Sequence, residues 1–125
     1  HCGSISPDGK EAICAGPDGG SIRYSFEAAT FRPIPGREAV GGDVLKWAAD
    51  GRSLFIGRFG SLPLKILRFD LETGKAQDWR ELEVRDPTVS RGELYYFAMT
   101  PDGKSYAYSS SPSTSQDLYL VTGLK

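Results

Sequence analysis

The chain has little of what most enzyme sites are built from. It contains one histidine, His1, so a catalytic imidazole or a histidine-rich metal site is disfavoured. Its two cysteines, Cys2 and Cys14, are too few for a disulfide framework and lack CxxC redox spacing. There is no excess of either charge: 15 basic against 16 acidic residues give a formal net charge of -1, without the electrostatic footprint of a nucleic-acid binder. Long apolar runs are missing too. The longest uncharged stretches, such as Ser105 to Gln116, are polar and fall short of the roughly 20 apolar residues of a membrane span. No signal-peptide pattern is recognisable at His1-Cys2-Gly3. Nucleic acid and direct membrane insertion are therefore not expected.

Turn formers are plentiful. Fifteen glycines and eight prolines in 125 residues are spread along the whole chain, about 18% against an average near 12%. With 39% hydrophobic and 25% charged residues, the composition is that of one modest globular domain. Three segments repeat: Ile5-Ser6-Pro7-Asp8-Gly9-Lys10, Trp47-Ala48-Ala49-Asp50-Gly51-Arg52 and Met99-Thr100-Pro101-Asp102-Gly103-Lys104. Each has a large apolar residue three positions before the aspartate and a basic residue two after it. The aspartates stand 42 and 52 residues apart, the spacing of four-stranded propeller blades.

The repeated Asp-Gly segment suits a hairpin, because the aspartate can bond its own downstream backbone and glycine takes the left-handed position. A three-residue loop would pair positions symmetrically about each aspartate, so that Cys2 faces Cys14, Val44 faces Ile56 and Tyr96 faces Tyr108. Two readings of the cysteines stay open. The apolar residues at the equivalent site suggest reduced thiols acting as small hydrophobes on a buried rung. Directly opposed residues of an antiparallel pair are also close enough for a disulfide in an oxidising compartment.

Third strands are legible at Ser21 to Phe26, Lys65 to Asp70 and Asp117 to Val121, and fourth strands at Thr30 to Ile34 and Lys75 to Leu82. Trp79 anchors the latter, while Pro33 and Pro35 confine the former to an outer edge. No helix is expected, and Trp79 to Arg85 is read as strand and linker. Glu83 to Glu93 is a connection, and Ser109 to Ser115 a polar loop within the third blade. The expected fold is all-β: residues 1–125 form three consecutive antiparallel blades of a β-propeller, approximately 1–40, 41–92 and 93–125, the last lacking its outer strand.

No catalytic, cofactor-binding or metal-binding residue is identified. Pro17-Asp18-Gly19-Gly20 lacks the GxxxxGK[ST] pattern of a phosphate loop and reads as a turn. Glu81 and Glu83 share a strand face but read as solvated carboxylates. Arg58, Lys65 and Arg68 could form an anion or acidic-partner site, or serve as strand-edge charges that discourage aggregation; the latter is favoured. Trp47 and Met99 read as inter-blade core rather than as an aromatic binding platform. The serines of 109–115 read as linker.

The three Asp-Gly hairpins resemble the WD-like repeats of TolB-type β-propellers. A more specific likeness runs through Asp50-Gly51-Arg52-Ser53-Leu54-Phe55, Arg68 to Gly74, Trp79-Arg80-Glu81-Leu82, Thr100 to Ser109, Asp117 to Val121 and Gly123-Leu124-Lys125. This order is similar to the C-terminal end of the propeller in bacterial eukaryotic-like serine/threonine protein kinases. The resemblance implies a bacterial multi-domain parent, often membrane-anchored, whose propeller is an extracytoplasmic sensor or interaction platform for a protein or small ligand. The chain carries no GxGxxG loop with a strand lysine, no His-Arg-Asp and no Asp-Phe-Gly, so it is expected not to be an enzyme itself. A TolB-like envelope accessory protein, and a propeller gating a prolyl-oligopeptidase-like hydrolase, are the alternatives; no G-x-S-x-G segment supports the second. Open blade faces at either end lead to the expectation of a homodimer closing a six-blade ring, or of membership in a larger ring.

Overall fold

In the computed structural model, residues 2–17, 20–58, 64–82, 94–110 and 117–122 are described. The first antiparallel sheet comprises β1 (Cys2–Ile5), β2 (Glu11–Ala15), β3 (Ser21–Ser25) and β4 (Thr30–Pro33), in that spatial order. A single helical turn, α1 (Arg37–Val40), leads to the second: β5 (Asp43–Trp47), β6 (Ser53–Arg58), β7 (Leu64–Asp70) and β8 (Ala76–Leu82). The third holds β9 (Leu94–Met99), β10 (Tyr106–Ser110) and β11 (Asp117–Val121). These are three blades of a β-propeller, and no fourth strand is seen in the third among the described residues. The innermost strands β1, β5 and β9 succeed one another across the blades, since β1 touches β5 and β5 touches β9.

Each Asp-Gly hairpin is built alike. Asp8, Asp50 and Asp102 accept the amide two residues downstream at 2.9, 2.8 and 2.9 Å. The following glycines, with φ between 72° and 76°, donate back to Ser6, Ala48 and Thr100. This chemistry corrects the expected three-residue loop. The aspartate captures the amide of Lys10, Arg52 or Lys104, which is lost to the ladder, so pairing resumes one residue later, with Ser6 bonded to Glu11.

Near the turns the register is therefore offset by one: Trp47 pairs with Leu54 and Met99 with Tyr106. An irregularity between Cys2 and Ile5, and one between Val44 and Lys46, shifts it back, which restores the expected Cys2–Cys14 and Val44–Ile56 rungs. In the third blade the shift lies further out, at the Ser110 rung. Tyr108 consequently faces Phe97, and Tyr96 faces Ser109, not Tyr108 as the symmetric register required.

Two further expectations change. Ser109 and Ser110 belong to β10, paired with strands on both sides, because β10 is the middle strand and its backbone is held whatever the side chains prefer. Residues 111–115 of the expected loop, Glu83 to Glu93, and Gly123-Leu124-Lys125 lie outside the described residues. A short helix, α1, forms where none was expected. Left-handed Gly36 precedes it and Gly41 ends it, and Arg37 donates from Nη1 and Nη2 to the carbonyls of Gly41 and Gly42 at 2.6 and 2.7 Å.

The core consists of two layers between blades. Ile13 and Ile34 of the first blade pack against Trp47, Leu54, Ile56, Leu67, Phe69 and Leu71 of the second. On the other face of that blade, Ala48, Phe55 and Ile66 meet Met99, Tyr106 and Tyr108 of the third. The middle blade is covered on both faces, which is why Ser53-Leu54-Phe55-Ile56-Gly57 is buried throughout rather than alternating. Trp47 is 1% exposed, and its backbone amide donates to Ser4 Oγ of the first blade at 2.8 Å. Its Nε1 donates to the Gly51 carbonyl at 3.0 Å, and the Arg23 guanidinium lies 5.6 Å from its ring centre. Trp47 and Met99 thus occupy inter-blade core, whereas Ile5, at the same repeat position in the first blade, is 54% exposed.

Candidate functional site

The connections β2–β3 and β4–β5 and the first residues of β1 and β5 come together at one end of the first two blades. They enclose a cleft of about 620 Å³, lined by Gly3, Ser4, Ile13, Cys14, Ala15, Gly20, Ser21, Arg37, Glu38, Gly41, Gly42, Asp43 and Val44. That volume falls within the range of small-molecule sites. Gly3, Gly20, Gly41 and Gly42 bring backbone without side chains to the wall, with the Gly41 and Gly42 carbonyls held by Arg37 and the Gly20 carbonyl by Gly16. Gly16 donates to Gly20 at 2.6 Å and closes the β2–β3 turn at the rim.

The cation in this lining is Arg37, which is only 6% exposed. Burial pushes its guanidinium below the ordinary value, and the nearby charge of Asp43 partly offsets this. Its Nη atoms clamp the Gly41 and Gly42 carbonyls, while its buried Nε finds no hydrogen-bond acceptor among the described residues. With Glu38 and Asp43 in the same wall, the cleft combines one buried positive charge with two acidic groups. Such a lining suits a neutral or zwitterionic polar group better than a strong anion.

Cys14 forms part of this wall, and its sulfur is bonded to that of Cys2. The reading as two reduced, buried thiols is corrected. Cys14 is 3% exposed, whereas Cys2, opposite it at the start of β1, is exposed. The bridge occupies the rung that Val44 and Ile56 hold by burial in the second blade.

The three basic residues considered from sequence are not brought together. Arg58 and Lys65 share a rung, but Arg68 lies opposite Phe55, three rungs further along. Arg58 donates to the Val40 carbonyl at 2.8 Å, and Lys65 is 4.0 Å from Glu81. Arg68 pairs with Asp50 at 2.7 Å and lies over Phe55. Glu81 is accordingly engaged by Lys65, while Glu83, His1, Asp18 and Gly19 lie outside the described residues. Sequence reasoning missed Arg37. Its only sign was a lone arginine between Pro35-Gly36 and the Gly41-Gly42 pair, in a stretch that reads as turn.

No family model matches the sequence. Among solved structures, the chain is similar to TolB from Acinetobacter baumannii at 18% identity and a TM-score of 0.54, over 94% of this chain and 28% of that one. It is also similar to a putative TolB from Agrobacterium tumefaciens at 14% identity and a TM-score of 0.58, over 98% of this chain and 45% of that one. The fold is a TolB-like β-propeller. The chain spans less than half the length of either neighbour, and at these identities the likeness is one of fold.

Proposed function

We propose that this chain is a non-catalytic interaction module that takes a small polar ligand, or the tip of a partner protein's loop, at the cleft between its first two blades. The observation that carries this reading is the 620 Å³ cleft, whose wall sets small and polar residues from two blades beside a buried arginine. Rigid sheets hold the connecting loops that form it, the arrangement in which loops most often bind. The order of motifs from Asp50 through Lys125 supports a parent of the bacterial serine/threonine kinase type, with this module at its C-terminal end.

A second reading, an envelope accessory protein of TolB type, is favoured by the fold neighbours together with the Cys2–Cys14 bridge, since disulfides persist mainly outside the reducing cytosol. The two readings agree on the module and differ in the parent. Titration of isotope-labelled protein with a panel of amino acids, short peptides and polyols tests the site. Amide shifts are expected to cluster at Gly3, Ser4, Gly20, Ser21, Gly41 and Gly42 for at least one member, and to vanish in Arg37→Met. Saturable binding that perturbs only distant blades would overturn the assignment.

A further inference from the structure

We propose that the Cys2–Cys14 bridge is a redox switch for the cleft, holding one of its walls in place until a dithiol opens it; this regulation rests on the reading of the cleft as a binding site. The two blades build their walls from the same element by different means. In β5 a bulge lies between Val44 and Lys46, whose partners Ile56 and Phe55 are adjacent. Its outer rung is apolar: Val44 packs against the core and Ile56 is fully buried. In β1 the bulge lies between Cys2 and Ile5, three steps against the two from Cys14 to Ala12, and the corresponding rung is the disulfide. The residues inside this bulge, Gly3 and Ser4, line the cleft, as do Cys14 and, in the second blade, Val44. Neither glycine nor serine brings an apolar side chain that burial would hold. They are tied by the bridge at one end, by the Ile5–Ala12 rung at the other, and by the Trp47 amide, which donates to Ser4 Oγ at 2.8 Å and joins β1 to the second blade. The rung at the second wall is thus fixed by burial, and the rung at the first by a bond that two electrons break.

A thiolate of an external dithiol attacks one sulfur of the bridge, which forms a mixed disulfide and releases the other cysteine as its thiolate. The second thiol of the dithiol then displaces the cysteine still attached. Two cysteine thiols result, the dithiol becomes a disulfide, and two electrons and two protons pass to the protein. With that rung gone, β1 frays from its first residue, Ser4 withdraws from the Trp47 amide, and the cleft loses the wall that Gly3 and Ser4 supply. The remaining rungs of β2 and the second blade need no change, because Cys14 lies on a strand that is also paired with β3.

Amide spectra of the isotope-labelled chain, recorded before and after treatment with dithiothreitol, test the switch without any ligand. The resonances of Gly3, Ser4 and Trp47 should move or broaden on reduction, while those of Leu54 and Phe69, buried in the second blade, stay in place. The doubly substituted Cys2→Ser, Cys14→Ser protein should match the reduced form and ignore the reductant. The amino acids, short peptides and polyols are then titrated into both redox forms. If the intact wall is populated a tenth of the time or less after reduction, the bound member should lose roughly tenfold or more in affinity. A bridge that dithiothreitol cannot open in the folded chain overturns the proposal, as do unchanged resonances at Gly3, Ser4 and Trp47. Collapse of the whole spectrum also overturns it, because the bridge would then staple the entire fold, and so does equal affinity in the two forms. Failure of the cleft reading shows separately, as the absence of saturable binding to the oxidised protein, and the movement of the wall is still decided by the ligand-free spectra.

Discussion

Replacing Cys2 and Cys14 by serine should destabilise the first blade by an amount that can be worked out in advance. The bridge joins residues separated by 12 positions, and closing a loop of that size in the unfolded chain is worth about 3 kcal/mol in the chain-entropy treatment. With a urea dependence of about 1.5 kcal/mol/M, the midpoint should fall by about 2 M. A control separates the bridge from mere side-chain packing. Cys2→Val with Cys14→Ile recreates the Val44–Ile56 rung of the second blade, where Ile56 is fully buried beneath its neighbour. The first blade has no described cover over that face, so the apolar pair should recover only about 1 kcal/mol. Alkylation and mass measurement confirm the redox state before each denaturation curve. Equal midpoints for the bridged and opened proteins would show that β1 is outside the cooperative unit. Full recovery by the Val/Ile pair would refute the argument that the bridge takes the place of burial.

Trp47→Ala, at a site 1% exposed between two blades, should cost about 3–5 kcal/mol in urea unfolding, and a loss below about 1 kcal/mol would contradict the inter-blade core. Gly9→Ala and Gly103→Ala both place alanine at a positive φ, for about 1–2 kcal/mol. A Cβ at Gly9 meets nothing within 4 Å, whereas one at Gly103 comes within 2.6 Å of the Trp79 ring, so the second variant should be clearly the less stable. Acid titration should erode stability through the hairpin aspartates and Glu11. The Ser6 and Thr100 hydroxyls and the downstream amides hold Asp8 and Asp102 below the ordinary 3.8. For Asp50 and Glu11, burial acts to raise the value but is outweighed, by the Arg52 amide and Arg68 for Asp50 and by Arg23 and Arg32 for Glu11. Lowered carboxylates contribute fully above their unfolded values and progressively less as pH falls through the folded ones, so unfolding midpoints should be level near neutrality and decline below about pH 4. A decline that begins near about pH 6 would point to another group, since no carboxylate lowered in the folded state titrates there.

Much of the fold was legible because its unit is local. Asp-Gly hairpins and period-two strands are specified within a few residues, so the three repeats located all three sheets. The loop length was not legible, because it turns on whether an aspartate or the ladder takes one amide. Nor was the rung at Tyr108, which depends on where an inner strand shifts its register, and a one-residue offset changes every pairing. The cleft was the least visible feature. Its walls come from Gly3 and Asp43, from Ser21 and Arg37, residues with no shared motif that meet only after two blades have stacked.

Sequence by itself determined the all-β class, the period and the places of the Asp-Gly turns, since each rests on contacts between near neighbours in the chain. Tertiary structure alone decided which copy of a repeated position is buried. Ile5, Trp47 and Met99 are equivalent in sequence, yet Trp47 and Met99 are covered by a preceding blade while Ile5 is left in solvent. Burial is a property of what lies across the interface, and no repeat encodes its own neighbour.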